Sequence, residues 1–111
     1  MTPNKVIEIV DGVKPNSYDE EMKLRWINEL EGIVKRTVVQ DDTFTPLEYP
    51  NDMDKELTIE APFDNVYELY VEAKIDYYNR EYDNYNNAVA MFDSRFVEYK
   101  KAYIRKHRAK G

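Results

Sequence analysis

A chain of 111 residues is enough for one small domain over residues 1–111 and leaves little surplus stability. Hydrophobic residues make up 42% and charged residues 34%, with a formal net charge of −6, so a packed core is within reach. There is no cysteine, which removes disulfides and thiolate metal sites and fits a reducing compartment. No apolar run approaches the roughly 20 residues of a membrane span, and the first residues lack the basic-then-apolar layout of a leader. The expectation is a soluble protein, made inside the cell, with no membrane partner.

Charge is unevenly placed. Residues 1–99 hold ten Lys/Arg against all 22 Asp/Glu, a net of −12, whereas residues 100–111 hold six Lys/Arg and no acid. An acidic body argues against broad nucleic-acid binding, which needs a positive footprint. The basic tail (Lys100, Lys101, Arg105, Lys106, Arg108, Lys110) complements the negative end of a helix dipole, or else meets an acidic protein partner or a phosphate backbone.

In chain order, Thr2-Pro3 reads as an N-cap with proline at the first helical position, and Gly12 as the terminator. Val6, Ile7, Ile9 and Val10 lie between them on a short helix. Lys14-Pro15-Asn16 is a linker. Ser17 with Glu20 three residues on reads as a capping box, followed by Trp26, Ile27, Leu30, Ile33, Val34 and Val38 at helical spacing. The second helix is therefore expected from about Tyr18 to Val38. Gly32 weakens it by up to about 1 kcal/mol relative to alanine unless close packing requires it.

Prolines 46, 50 and 62 and the Asp/Asn clusters break any period over residues 40–62. Leu57-Thr58-Ile59 is at most a short extended segment. Phe44, Leu47, Tyr49 and Met53, scattered along this long irregular loop, mark it as an arm that packs on something.

From Phe63 to Ala109 there is neither glycine nor proline. Val66, Tyr70, Ala73 and Tyr77 form one stripe. Tyr82, Tyr85, Val89, Phe92, Phe96, Tyr99 and Tyr103 form a second at alternating steps of three and four, a heptad seam expected to be buried against another helix. The five-residue step from Tyr77 to Tyr82 places a turn near Asn79-Arg80-Glu81, with Asn79 the candidate left-handed residue. A competing phase through Val71, Ile75, Tyr78 and Tyr82 runs on without a break. The hairpin is the preferred reading, because a small domain must fold back to hide so many aromatics. The fold expected is all-α: a small helical bundle with a C-terminal hairpin of about residues 64–79 and 82–107.

Catalytic signals are sparse. His107 is the only histidine and lies in the basic tail, Ser94 has no histidine near it in sequence, and three glycines cannot build a phosphate-cradling loop. Asn51-Asp52-Met53-Asp54 lacks the order and distal glutamate of a calcium loop. Glu68, Glu72 and Asp76 recur every four residues but lack a Glu-x-x-His partner, so they read as a solvated face. No enzyme, metal site or cofactor is expected. The tyrosines are more informative: eight of the ten lie between Tyr67 and Tyr103, more than one seam can hide. Tyrosine suits surfaces that are apolar at one end and wet at the other. The candidate interface residues are Phe44, Tyr49, Tyr67, Tyr78, Lys100, Arg105 and Arg108. Trp26 is read as a core anchor, with an interface role as the alternative.

Asn4-Lys5 to Asp11-Gly12, Lys14-Pro15-Asn16 and Lys23-Leu24-Arg25-Trp26-Ile27-Asn28-Glu29-Leu30-Glu31-Gly32 resemble the start of small proteins from tailed-phage and prophage structural-gene clusters. Ala61-Pro62-Phe63-Asp64, Ile75-Asp76-Tyr77-Tyr78-Asn79 and Tyr85-Asn86-Asn87-Ala88-Val89-Ala90-Met91-Phe92 continue a likeness that spans most of the chain. The family it resembles is the head–tail connector, or head-completion adaptor, family. That resemblance implies a non-enzymatic helical adaptor that assembles as a homo-oligomeric ring on the portal protein and meets neighbouring head-completion or tail proteins. DNA passes through it as cargo, and its place is the virion head–tail junction after synthesis in the bacterial cytoplasm. The alternative is a small acidic helical module that binds a host or regulatory protein.

Overall fold

A computed structural model describes residues 1–108, with the side chain of Arg108 and residues 109–111 outside the described part. The chain is all-α, with no strand among the described residues. Helix α1 spans Pro3–Val13, α2 Glu20–Ile33, α3 Val66–Tyr78 and α4 Tyr82–Arg108. A π-helical stretch, Val34–Val39, prolongs α2.

Thr2 caps α1 as its sequence suggests, its hydroxyl accepting from the Lys5 N–H at 3.2 Å. Gly12 does not end the helix, which runs one residue further to an extended Lys14. The cap of α2 is Asp19, not Ser17. Its carboxylate takes the Met22 N–H at 2.8 Å, while Asn16 takes the Tyr18 N–H at 3.2 Å and holds residues 16–18 in a turn outside the helix. Past Ile33 the helix widens and stops at Gln40, which adopts the left-handed conformation.

Val6, Ile7 and Val10 of α1 meet Leu24, Trp26, Ile27, Leu30 and Val34 of α2 and its extension, and Val66, Tyr67, Val71 and Ile75 of α3. The irregular arm closes this core with Met53, Leu57 and Ile59, each buried. Leu57 and Ile59 therefore insert as anchors without forming a strand, and the something on which the arm packs is its own body. Phe44 lies on Gly32, whose missing side chain leaves the ring edge 3.4 Å from where a Cβ would stand. A Cβ there would meet the ring at ordinary contact distance, so packing does not demand the glycine.

The two competing phases of the sequence are two faces of one helix. Val71 and Ile75 enter the body, while Tyr70 and Tyr77 turn to α4, where they meet Phe92 and Tyr85 at 5.5 Å each. The chain does break, at a Schellman turn. The Glu81 N–H reaches the Asp76 carbonyl and the Arg80 N–H the Tyr77 carbonyl. The left-handed residue is Arg80 (φ 61), not Asn79, because it occupies the position after the cap.

Helix α4 packs chiefly on α3. At 1.5 Å per residue its 27 residues run about 40 Å, most of the 47 Å long dimension. Its far half passes over the end of the arm. There Arg95 holds Asn65 at 3.2 Å and the Pro62 carbonyl at 3.0 Å and covers the Phe63 ring. The seam is not buried as expected. Of its seven residues only Tyr99 is; Tyr82 is 55% exposed and the rest are half-buried. A single thirteen-residue α3 is too short and too narrow to cover it.

Candidate interaction surface

Three charged side chains lie inside the body, all on helix positions that also carry core residues. Glu31, four residues after Ile27 and three before Val34, is 4% exposed. It accepts from the Thr58 N–H (3.1 Å), the Thr58 hydroxyl (2.9 Å) and the Tyr67 hydroxyl, which in turn accepts the Ile59 N–H at 2.9 Å. Burial, with the Glu31 carboxylate beside it, holds the Tyr67 phenol far above its ordinary pKa, so it stays protonated and donating. This node fastens the arm to α2 and α3. It is sealed from solvent and structural in role.

Two ion pairs tie α1 and its linker inward: Lys14 to the buried Asp76, and the buried Lys23 to Asp11, each at 2.7 Å. Burial resists ionisation of Asp11, but Lys23 and Asn16 outweigh it and lower its pKa. Asp76 therefore leaves the row with Glu68 and Glu72, which is not a solvated face. Those two glutamates are half-buried, and burial raises the pKa of both; Glu72 and Asp64 add to the rise at Glu68, while at Glu72 Lys14 opposes it and Asp76 adds to it. Among the described residues no group of three or more His, Cys, Asp or Glu is placed to hold a metal. Among the described residues no helix is long and apolar enough to cross a membrane.

A groove of about 570 Å³ lies open between α3 and α4. Tyr70, Tyr77 and Tyr78 form one side and Tyr85, Val89 and Phe92 the other, with Lys74 and Asp93 on the rims. Lys74 pairs with Glu29 of α2 at 3.1 Å, and Glu29 also takes the Tyr70 hydroxyl at 3.2 Å. Tyr77 and Tyr78 are 50% and 54% exposed. The chemistry offered is apolar ring faces edged by hydroxyls and a few charges, which suits side chains of another protein.

The candidate residues named from sequence do not converge on one patch. Tyr67 is fully buried and is corrected to a core residue. Its hydroxyl is needed inside, and helix spacing alone cannot show that. Tyr78 is exposed at its edge but stacks on Trp26 at 5.8 Å, and Trp26, 2% exposed, is the core anchor. Phe44 and Tyr49 sit on the arm beside α2. Lys100 and Arg105 lie far along α4, with Lys100 half-buried over Phe96 and Arg105 exposed. The side chain of Arg108, and Lys110, lie outside the described residues. His107 is exposed and stacks on Tyr103 at 4.0 Å.

The sequence places Tyr85, Val89 and Phe92 in a buried seam and Tyr77 in the stripe of α3, yet all four line the groove. The missed signal was length: a seam running from Tyr82 to Tyr103 faces a stripe running only from Val66 to Tyr77. No protein-family model matches this chain, and no curated protein or solved structure matches it.

Proposed function

We propose that this chain is a non-enzymatic structural adaptor of the head–tail connector kind, assembling as a ring on a portal protein and extending the channel through which DNA passes. One geometric observation carries the reading: α4 displays a largely aromatic stripe along about 32 Å while burying only one of its seven members. Monomers rarely leave so long an apolar stripe half-covered, and such surfaces are ordinarily completed by another chain. The resemblance of the sequence to connector proteins gives that chain an identity: the portal, neighbouring copies, and adjoining head-completion or tail proteins. The rigid three-helix body supplies a building block, and its acid excess would keep passing DNA from adhering to a channel wall.

The test is co-purification with a portal protein followed by native mass spectrometry. The expected result is a portal complex carrying many copies, with oligomers of the isolated chain at high concentration. Monomer at every concentration, with no portal binding, would overturn the reading. The same acid excess also favours a second reading, a module that binds one host or regulatory protein. It predicts a one-to-one complex from host lysate and no portal binding.

A further inference from the structure

Two regions of α4 are chemical complements that cannot meet within one molecule. Val97 and Ile104 are 42% and 50% exposed and seven residues apart, so they stand in line on one helix face. Lys100 and Lys101 flank that line, and Arg105 and Lys106 follow. Among the described residues none of these four cations is in an ion pair. The hairpin end has an acid excess: Asp93 lines the groove and Glu81 and Asp83 flank Tyr82, against Arg80 in the turn, while Lys74 of the groove is already paired with Glu29. From Val89 in the groove to Ile104 is fifteen residues of straight helix, about 22 Å, so the basic face cannot fold back into its own groove.

We propose that the basic Val97–Ile104 face of α4 docks into the α3–α4 groove of a second copy of this chain. The proposal rests on the assembly reading above and names the surfaces through which copies meet. Val97 and Ile104 enter between the tyrosine rings as the apolar anchors. Lys100 and Lys101 come to lie against Asp93 and the acids of the hairpin end, which fixes register and excludes the reversed orientation. The contact is heterologous: each copy uses its groove for one neighbour and its basic face for another. It therefore propagates, and closes into a ring where the rotation per copy permits.

The chain has no cysteine, so introduced thiols report contacts cleanly. Val89→Cys and Ile104→Cys variants are made separately, mixed at high concentration and treated with a short bifunctional maleimide. The expected product is a dimer in the mixture and little in either variant alone. A Val89→Cys/Ile104→Cys double variant should give a ladder of multimers. Met91→Cys, on the far side of α4 and 59% exposed, should not link to Ile104→Cys. Lys101→Glu should lower the yield roughly two- to fivefold, and pairing it with Asp93→Lys should restore it. Oligomers that form without a Val89–Ile104 link overturn this contact and leave the assembly reading standing. Single variants that dimerise as well as the mixture, or a Met91–Ile104 link of equal yield, overturn it too. Failure of the wild-type chain to associate under any condition, portal included, sinks both.

Discussion

On α2 and its extension, Trp26, Ile27, Leu30 and Val34 are at most 2% exposed; on α4, Tyr82, Tyr85, Val89, Phe92, Phe96 and Tyr103 all keep part of their surface in water. Both helices carry apolar stripes of comparable strength, and their surroundings make the difference. The α2 stripe is covered by α1, α3 and the anchors Met53, Leu57 and Ile59 of the arm. The α4 stripe has α3 for part of its length and the end of the arm for the rest. A stripe at helical spacing shows that a face wants covering; it does not show that the same chain supplies the cover.

Paired truncations break or sustain this contrast most directly. Trp26→Ala empties a site closed by Tyr18, Tyr78 and the core, and should cost about 3–5 kcal/mol. Phe96→Ala, in a half-covered site, should cost about 2 kcal/mol or less, because part of the ring already meets water. Chemical denaturation of each monomer measures the two. Equal losses would mean that α4 belongs to the core as fully as α2.

Charges inside the body should behave as buried charges do. Lys14→Met removes the cation bonded to the Asp76 carboxylate, which is 2% exposed, and should cost about 3 kcal/mol at neutral pH. Lys101→Met on α4, where the cation has no described partner, should change stability by less than about 0.5 kcal/mol. A small loss at Lys14 would show that water reaches Asp76.

Much of this architecture could be read from the chain. Thr2-Pro3, the Trp26 to Val38 spacing and the five-residue step at Tyr77 each set a boundary or a turn, because caps and periods act over a few residues. Three features could not be read, and all depend on distant partners. Glu31 looks like surface until Thr58 and Tyr67 arrive from 27 and 36 residues away. Asp19 displaces Ser17 as the cap only because Asn16 captures the Tyr18 N–H. The groove exists because α3 ends before the seam does. The candidate interface suffers most from this: Tyr67 goes inside, and of the residues that line the groove only Tyr78 is among the candidates.

The turn joining the two regions provides a milder probe. Arg80 holds a left-handed conformation that glycine adopts freely, at the position where helices most often place glycine. Arg80→Gly should therefore stabilise the hairpin by up to about 1 kcal/mol. The gain should be visible as slower hydrogen exchange in the first turns of α4 and the last turn of α3, with the α1–α2 amides unchanged. Uniform slowing over all helices would mean that body and α4 open together, and the contrast between them would be one of surface alone.

A small, pH-dependent effect is expected at Glu72, on the flank of α3 where coverage is partial. Burial raises its pKa, Asp76 adds to the rise and Lys14 opposes it. A carboxyl whose folded pKa is raised binds its proton more tightly in the folded chain than in the unfolded one. Between the ordinary glutamate range and the raised value the folded state therefore holds more protons, and stability falls as pH climbs through that window. At neutral pH the penalty is fully present. Glu72→Gln should then be more stable than the parent at pH 7 by under about 1 kcal/mol, solvent screening keeping the gain small. The advantage should shrink as pH falls through the window and vanish once both states of the parent are protonated. A gain that persists unchanged into acid would come from packing instead, and would place Glu72 with the closed body, away from the half-covered surface that α4 shares.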